Sequence, residues 1–163
     1  MKKLWEASKN IKINSTLYKV EKFISQNYNF KPSCNYEKIL NWSIKNSPTF
    51  WYELWQFFKI KGYKANKKII RSSKFYKNNF LPKYKLNFTE NVLSKSGKSK
   101  AITFISENGY RELRTWDQLT YNVNRLNRLL KNLKIKKGDR VAGYMPNTIE
   151  TIESFLATSS IGG

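Results

Sequence analysis

Apolar residues recur at helical spacing through the first third of the chain. Ser15 is suited to cap a helix that ends near Asn27, because its hydroxyl can accept a hydrogen bond from an amide of the first turn. The apolar stripe of this helix comprises Leu17, Val20, Phe23 and Ile24. A second short helix is predicted to end before Pro48, with its stripe at Tyr36, Ile39, Leu40 and Ile44.

A third helix is predicted to open at Ser47 and Pro48, with serine as the cap and proline at the first helical position. Its apolar face comprises Trp51, Leu54, Trp55 and Phe58, broadened by Phe50 and Phe57. Such an aromatic stripe could stack the bases of a single-stranded nucleic acid, but helical spacing with few interleaved charges favours core packing. Gly62 is predicted to end this helix, and residues 63–85 to form a loop that wraps the surface.

The second half of the chain changes character after a polar stretch at residues 94–100. Residues 86–93 before it predict one or two helical turns. Residues 101–105 and 110–114 have the composition of strands, and Asn108-Gly109 between them favours a hairpin turn. Thr115 and Gln118 have the spacing of a capping box. The helix that this box opens has its stripe at Trp116, Leu119, Val123, Leu126, Leu129, Leu130 and Leu133.

A further strand–helix unit is predicted at the end of the chain. Gly138-Asp139 should turn the chain into a strand over residues 140–145, and Pro146-Asn147 should lead into a last helix. The inward side chains of that helix are Ile149, Ile152, Phe155 and Leu156. The order strand, strand, helix, strand, helix is typical of an α/β fold, in which helices cover a sheet. We predict a helical extension over residues 1–34, a second region over 35–93 and a truncated domain over 94–163 with an incomplete sheet.

Composition restricts the chemistry that the chain can perform. The 163 residues are 40% hydrophobic and 15% aromatic, which is enough for a buried core. Cys34 is the sole cysteine and the chain contains no histidine, which excludes an internal disulfide, a multi-cysteine zinc site and a histidine-based triad. Cys34 is interpreted as an incidental small residue, since no imidazole could activate its thiol.

The opening residues and the hydropathy indicate a cytoplasmic protein. No stretch approaches the roughly 18 apolar residues of a membrane span. Residues 1–6 lead into polar residues, unlike the apolar segment of a signal peptide.

The formal net charge is +20, from 31 Lys and Arg against 11 Asp and Glu. Such a charge could indicate binding to nucleic acid or to an anionic membrane. However, the positive charge is mostly lysine and is scattered along the chain, whereas bidentate recognition of phosphates favours clustered arginine. A solvated lysine-rich surface is the favoured interpretation.

The turn after Met145 has the general form of a phosphate site, because it follows a predicted strand and opens a helix. It contains no glycine-rich loop, and Glu150 in the first turn would repel a phosphate. Asn147 and Glu150 have the spacing of another capping box, so ordinary capping is favoured over ligand binding. No Walker motif, metal-binding spacing or nucleophile elbow occurs in the sequence.

Several segments resemble the acetyl-CoA and acetoacetyl-CoA synthetases of the adenylate-forming superfamily. Residues 138–147 (GDRVAGYMPN) and 155–158 (FLAT) resemble the first strand–helix unit of the adenylation domain, and residues 114–119 (RTWDQL) resemble the helix start before it. The front half is similar to the acetoacetyl-CoA branch, through Leu4-Trp5-Glu6, Phe50-Trp51, Phe80-Leu81-Pro82, Leu86-Asn87-Phe88, Glu90-Asn91 and Leu93. Met145-Pro146-Asn147 and Phe155-Leu156-Ala157 also fit that branch. Gly163 departs from the family, which more often has alanine there.

This resemblance implies that the parent enzyme is an ATP-dependent acetoacetate–CoA ligase of lipid metabolism and ketone body utilisation. It would join acetoacetate to AMP using ATP and Mg²⁺, release pyrophosphate and pass the acyl group to CoA. Residues 94–163 would then begin the AMP-binding domain, after an acetyl-CoA-synthetase-type region at 35–93. The family's phosphate loop, nucleotide contacts, CoA contacts and catalytic lysine lie downstream of Gly163. No catalytic, cofactor-binding or metal-binding residue is therefore assigned in this chain.

Adenylation requires groups that hold the phosphates and neutralise the charge that develops on them, so the chain alone is predicted to be inactive. The implied partners are the small molecules acetoacetate, ATP and CoA, with no specific nucleic acid and no membrane. Two alternatives stay open at this point. One is a basic nucleic-acid-binding module, whose affinity would fall steeply with salt. The other is a non-catalytic partner that associates with a full-length ligase.

Overall fold

A computed structural model of the protein describes residues 4–63, 75–77 and 84–163. The chain divides into two compact units, residues 1–85 and residues 86–163. Each unit has a hydrophobic core of its own. The predicted domain limits at 34/35 and 93/94 stay a prediction. No helix within the described ranges is both long and apolar enough to cross a membrane.

The first unit is helical where it is described. Its helices are α1 (Lys9–Asn14), α2 (Thr16–Ser25), α3 (Tyr36–Lys45) and α4 (Ser47–Phe57), with a 3-10 turn at Phe75–Lys77. Ser15 caps α2 by accepting a hydrogen bond from the Tyr18 amide at 3.2 Å, which confirms the predicted helix start. The helix α1 before it was not predicted as a separate element.

The core of the first unit forms between α2, α3 and α4. Its buried residues are Val20, Ile24 and Ile39. Trp42 from α3 packs among three aromatic rings with centroid separations of 5.7 Å to Phe30, 5.8 Å to Tyr28 and 6.5 Å to Phe50. These tilted and edge-to-face contacts stabilise the packing beyond the area that they bury.

The ends of α4 differ from the prediction. The cap is Asn46 and Ser47 is the first helical residue. The Asn46 side chain instead donates to the Trp42 carbonyl at the end of α3, which explains why it forms no cap bond to α4. The helix ends at Phe57, before the predicted Gly62, because Lys59 takes a left-handed conformation with φ of 50°.

The face of α4 that packs against the core is shifted by about one residue from the predicted aromatic face. Trp55 is buried, and Phe50, Leu54 and Phe57 pack against the core. Trp51 and Phe58 are 43% and 53% exposed, so placing them on the inward face was wrong. The predicted loop over residues 63–85 lies largely outside the described residues, as does Phe80-Leu81-Pro82. Its two ends form an antiparallel bridge between Tyr63 and Lys85.

The second unit is a hairpin packed with helices. Its elements are α5 (Phe88–Val92), β1 (Lys100–Ile105), β2 (Arg111–Thr115), α6 (Trp116–Asn132) and α7 (Ile149–Ile161). The strands β1 and β2 pair antiparallel, with Phe104 opposite Glu112, and this confirms the predicted hairpin. In its loop Gly109 has φ of 81°, a conformation that favours glycine.

The predicted capping box at the start of α6 is confirmed. The Thr115 hydroxyl accepts from the Gln118 amide at 3.2 Å, and the Gln118 side chain accepts from the Thr115 amide at 2.9 Å. Leu119 and Val123 from this helix join Leu156 and Ala157 from α7 in the buried core. Four residues predicted to face inward, Leu129, Leu133, Ile152 and Phe155, are between 39% and 63% exposed.

The predicted strand over residues 140–145 is not formed. The only sheet within the described residues is the β1–β2 hairpin, and residues 139–147 are exposed. A strand exists only when its amides and carbonyls pair with a neighbouring strand, however suitable its sequence. The mixed helical and strand fold is therefore as predicted, with a sheet that has two strands in the described part of the chain.

Candidate functional site

A cluster of charged side chains in the second unit surrounds Arg114. Its guanidinium contacts Glu112 through Nη1, Glu150 through Nη2 at 3.4 Å, and Glu153 through Nε at 3.1 Å. The residue extends from the end of β2, and Glu150 and Glu153 come from the first two turns of α7. The hydrogen bond to Glu112 is the main cause that raises the pKa of the Arg114 guanidinium above its usual value. One cation is therefore shared by three carboxylates.

Glu153 is the buried member of this cluster, since its side chain is only 5% exposed. Its Oε1 accepts from Arg114 and from the Asn122 side chain of α6, at 2.8 Å in the second case. A buried carboxylate needs such partners, because removal from water without them is costly. The cluster therefore joins β2, α6 and α7 through polar contacts at the edge of the hydrophobic core.

An open cavity of about 560 Å³ lies beside this cluster. It is lined by Arg114 of β2, by Asn122, Arg125, Leu126 and Leu129 of α6, and by Glu150, Glu153 and Ser154 of α7. The Arg125 guanidinium lies 5.7 Å from the centroid of the Tyr121 ring on the same helix. The two arginines and two carboxylates that line the cavity have a summed formal charge of zero.

The turn after Met145 leads to α7 with Thr148 as the cap residue, and Thr148 makes no side-chain cap bond. The predicted capping box of Asn147 and Glu150 is therefore wrong. The Glu150 carboxylate instead accepts from its own backbone amide and from the Thr148 hydroxyl, and these bonds hold its pKa below the usual value. A side-chain anion already occupies the positive end of α7, so this turn is unsuited to a phosphate.

A second cavity, of about 400 Å³, is apolar and lies along α7 on the side of residues 141–145. Its apolar lining comprises Leu126, Leu129 and Leu130 of α6, Phe155 and Ala157 of α7, and Val141 and Met145. At the carboxyl end of α7, the Gly138 amide donates to the Gly162 carbonyl at 2.9 Å. The chain that leaves α7 therefore lies next to the start of residues 139–145.

Cys34 lies in a turn of the first unit that is held by a buried carboxylate. It has φ of 55°, and its amide donates to Glu21 Oε2 at 2.8 Å. The Ser33 amide donates to the same oxygen, also at 2.8 Å, so the fully buried Glu21 carboxylate fixes this turn. These bonds involve the backbone of Cys34, so the interpretation of its thiol as incidental stays a prediction.

Two features of the described residues bear on the expected absence of sites, namely the side chains that could bind a metal and the phosphate-like turn. No group of three or more Asp, Glu, Cys or His side chains within these ranges could hold a metal ion. The phosphate-like turn that the sequence suggested, after Met145, leads into α7, and the first turn of α7 carries Glu150. The assignment of no catalytic, cofactor-binding or metal-binding residue stays a prediction.

The Arg114–Glu153 pair was not predicted from the sequence. A signal for it exists, because Glu153 lies between Ile149 and Leu156 at spacings of four and three on the buried stripe of α7. An acidic residue in such a stripe requires a buried partner. Arg114 is recognisable only from the structure, since it lies 39 residues away.

The second unit is similar to a known protein family. Residues 89–163 match the family described as AMP-binding enzyme. Acetoacetyl-coenzyme A synthetase of Rhizobium meliloti (strain 1021) is 37% identical over 128 residues, which are 78% of this chain and 20% of that protein. Acetoacetyl-CoA synthetase of Xenopus tropicalis is 34% identical over 134 residues, with the same two coverages. The chain thus spans about a fifth of the length of the curated relatives it matches.

A solved structure shows the same fold. The acetoacetyl-CoA synthetase from Streptomyces lividans superposes with a TM-score of 0.89 at 22% identity, over 100% of this chain and 26% of that chain. These relatives give the nucleic-acid interpretation no support.

Proposed function

We propose that the chain is the amino-terminal part of an ATP-dependent acetoacetate–CoA ligase, because residues 89–163 match the family of AMP-binding enzymes. The observation that carries this proposal is the similarity to acetoacetyl-CoA synthetases over 78% of the chain, which extends into both units. In the proposed reaction acetoacetate displaces pyrophosphate from ATP and forms acetoacetyl-AMP. The CoA thiol then attacks the acyl carbon and releases AMP.

The acyl acid of the parent enzyme is part of the proposal. A malonamoyl-CoA synthetase of Penicillium aethiopicum is 30% identical over 135 residues, so the similarity includes a second acyl group. Both names denote short acids with a carbonyl group on the β carbon. We therefore propose a short 3-carbonyl acid as the substrate class, with acetoacetate as the preferred member.

We also propose that the chain contributes structure and no chemistry to this enzyme. Adenylation needs groups that hold the triphosphate and stabilise the charge developing on it. In the described residues the Arg114 guanidinium is already shared by three carboxylates, and Glu150 occupies the start of α7. Mg²⁺ and CoA would bind elsewhere in the parent enzyme, and a cytoplasmic location is part of the same proposal.

Two measurements test the proposal. The purified 163-residue chain should show no acetoacetate-dependent exchange of pyrophosphate into ATP, and exchange above the no-enzyme control would contradict its inactivity. A chimera in which this chain replaces the matching part of the Rhizobium meliloti synthetase should release AMP only when acetoacetate, ATP and CoA are all present. A folded chimera with native-like circular dichroism that releases no AMP with acetoacetate or malonamate would contradict the proposed function.

A further inference from the structure

The outward side of α6 and the turn after it carry a dense group of positive charges. Between Gln118 and Ile149 the sequence has seven basic residues and a single acidic one, Asp139. None of the seven forms a salt bridge with another residue in the described part of the chain. All seven are exposed, and we call them the basic patch: Arg125, Arg128, Lys131, Lys134, Lys136, Lys137 and Arg140.

Helix geometry directs the first of these cations away from the core. Arg125, Arg128 and Lys131 follow one another at spacings of three, so their side chains form a ridge along α6. Leu119 and Val123 are buried on the opposite side of the same helix, where they join the hydrophobic core of the second unit. The ridge therefore faces the solvent.

The turn after α6 continues the patch. Lys134 ends the helix with φ of 63°, and its amide donates to the Lys131 carbonyl at 2.9 Å. The Asp139 carboxylate accepts from the Lys136 backbone amide at 2.7 Å, so the one acidic group of this stretch holds the turn. The ammonium groups of Lys136 and Lys137 have no carboxylate partner among the described residues.

Stabilisation of the helix end explains only part of this charge. A cation in the last turn of a helix interacts favourably with the helix dipole, but the effect falls off within that turn. Lys131 lies in the last turn of α6, whereas Arg125 lies about two turns before its end and Arg140 lies beyond it. Unpaired like charges in one region repel one another and lower the stability of the fold. An anionic partner would offset this repulsion.

Two exposed leucines border the cations. Leu129 and Leu133 are four residues apart, so they lie on the same side of α6, next to Arg125. They are 53% and 63% exposed, and Leu133 is the C-cap residue of the helix. Aliphatic side chains flanked by Lys and Arg are typical of helices that lie on an anionic membrane, where leucines enter the boundary between headgroups and acyl chains. A nucleic acid would contact the cations and leave the leucines in water.

We propose that the basic patch and Leu133 form a docking surface for an anionic phospholipid membrane. Each Lys or Arg close to such a surface strengthens binding by about fivefold. The scattered lysines of the sequence favoured a solvated surface, whereas this stretch combines seven cations with exposed leucines and has no ion pair in the described structure. The inference goes beyond the proposed function and does not depend on the acyl substrate.

Co-sedimentation of the full 163-residue chain with lipid vesicles tests this surface. Vesicles of phosphatidylcholine alone should bind little of the chain, and vesicles that also contain about one quarter phosphatidylserine should bind most of it. Binding should weaken as the salt concentration rises, because salt screens the charges. Equal binding to the two kinds of vesicle would overturn the proposal.

A matched pair of triple variants locates the charge that binds. The patch variant carries Arg128→Gln, Lys131→Gln and Lys136→Gln. The control variant carries Lys98→Gln, Lys100→Gln and Arg111→Gln, at exposed positions in and before the hairpin. The patch variant should bind phosphatidylserine vesicles about 100-fold more weakly, and the control less than about tenfold more weakly. The two variants have the same net charge, so equal losses would assign the binding to total charge and overturn the patch.

Leu133 separates a membrane from other polyanions. Leu133→Asn should weaken vesicle binding by about tenfold, because its side chain no longer enters the lipid, and should leave binding to inorganic polyphosphate or a single-stranded oligonucleotide unchanged. Leu86→Asn makes the same change at a leucine that is 53% exposed and lies outside the patch, and it should have no effect. Circular dichroism confirms that each variant is folded. If Leu133→Asn binds vesicles as the parent chain does, or polyphosphate binds as tightly as vesicles, the patch is a general polyanion site and the membrane is not its partner.

Discussion

The Nε atom of Arg114 lies 3.1 Å from Oε1 of Glu153, and this contact joins strand β2 to helix α7. The two side chains are 17% and 5% exposed. Glu153 also accepts from Asn122 of α6, so one buried oxygen connects three elements of the second unit. The orientation of the hairpin relative to α7 therefore depends on a charged pair as well as on the hydrophobic core.

Replacing Arg114 with methionine should destabilise the second unit strongly. The variant leaves the Glu153 carboxylate buried with Asn122 as its remaining partner, and loss of one member of a buried pair costs about 3–5 kcal/mol. The free energy of unfolding from urea titration, followed by circular dichroism, measures the effect. Glu112→Gln is the control, since its carboxylate is more exposed and should cost less than about 1 kcal/mol. Equal losses in the two variants would show that burial of Glu153 is unimportant.

Glu150 should make the stability of the second unit depend on pH. Its own backbone amide, the Thr148 hydroxyl and, to a smaller extent, Arg114 lower its pKa in the folded state. A carboxylate with a lowered folded pKa adds stability above its unfolded pKa, and this contribution is lost as the pH falls through the folded value. Glu150→Gln should therefore be less stable than the parent chain at neutral pH, and the difference should vanish in acid.

Urea titrations of both chains at neutral pH and at several lower values measure this difference. Glu107→Gln makes the same change of charge in the hairpin loop and should not reproduce it. A Glu150→Gln deficit that is constant across the pH range would show that the ionised carboxylate is not the stabilising form.

Local chemistry made the hairpin and the starts of α2 and α6 predictable, because those features depend on residues close in sequence. Thr115 and Gln118 are three residues apart, and Ser15 contacts an amide three residues away. The strand over residues 140–145 could not be decided in this way, since a strand needs a neighbour that the sequence of the segment does not supply. The Arg114–Glu153 pair likewise depends on how β2 and α7 pack.

The cap of α4 also depends on a contact that the local cap preference does not determine. Ser47 and Asn46 are both good cap residues, and the choice between them depends on what else each side chain can bond. Asn46 lies within reach of the Trp42 carbonyl because α3 ends immediately before it. The position of one helix end thus decided the start of the next. Sequence patterns therefore locate helices more reliably than they locate their caps.

The capping box of α6 should contribute measurably to stability. Thr115→Ala removes the acceptor of the Gln118 amide, and loss of such a cap costs about 1 kcal/mol. Thr115→Ser keeps the hydroxyl and should retain most of the stability, although it removes a methyl group. Urea titration of the three chains measures the difference. If serine and alanine reduce the free energy of unfolding equally, the methyl group and its packing are responsible and the cap bond is not.

Lys134 should be a site where glycine stabilises the protein. It follows the end of α6 with φ of 63°, a left-handed conformation that costs a residue with a Cβ atom about 1–2 kcal/mol. Its amide donates to the Lys131 carbonyl at 2.9 Å and the Ile135 amide donates to the Leu130 carbonyl at 3.1 Å, which is the pattern of a Schellman cap. Glycine fits this position without strain and keeps both bonds.

The expected gain for Lys134→Gly is about 0.5–1 kcal/mol, because relief of strain is partly offset by the greater freedom of glycine in the unfolded chain. Lys131→Gly provides the matched control, since it also removes one lysine but lies inside the last turn of α6. There glycine should destabilise by up to about 1 kcal/mol. Opposite signs in the two variants, read from thermal or urea unfolding, would establish that backbone conformation causes the effect. A gain in both would instead assign it to relief of positive charge on a chain of net charge +20.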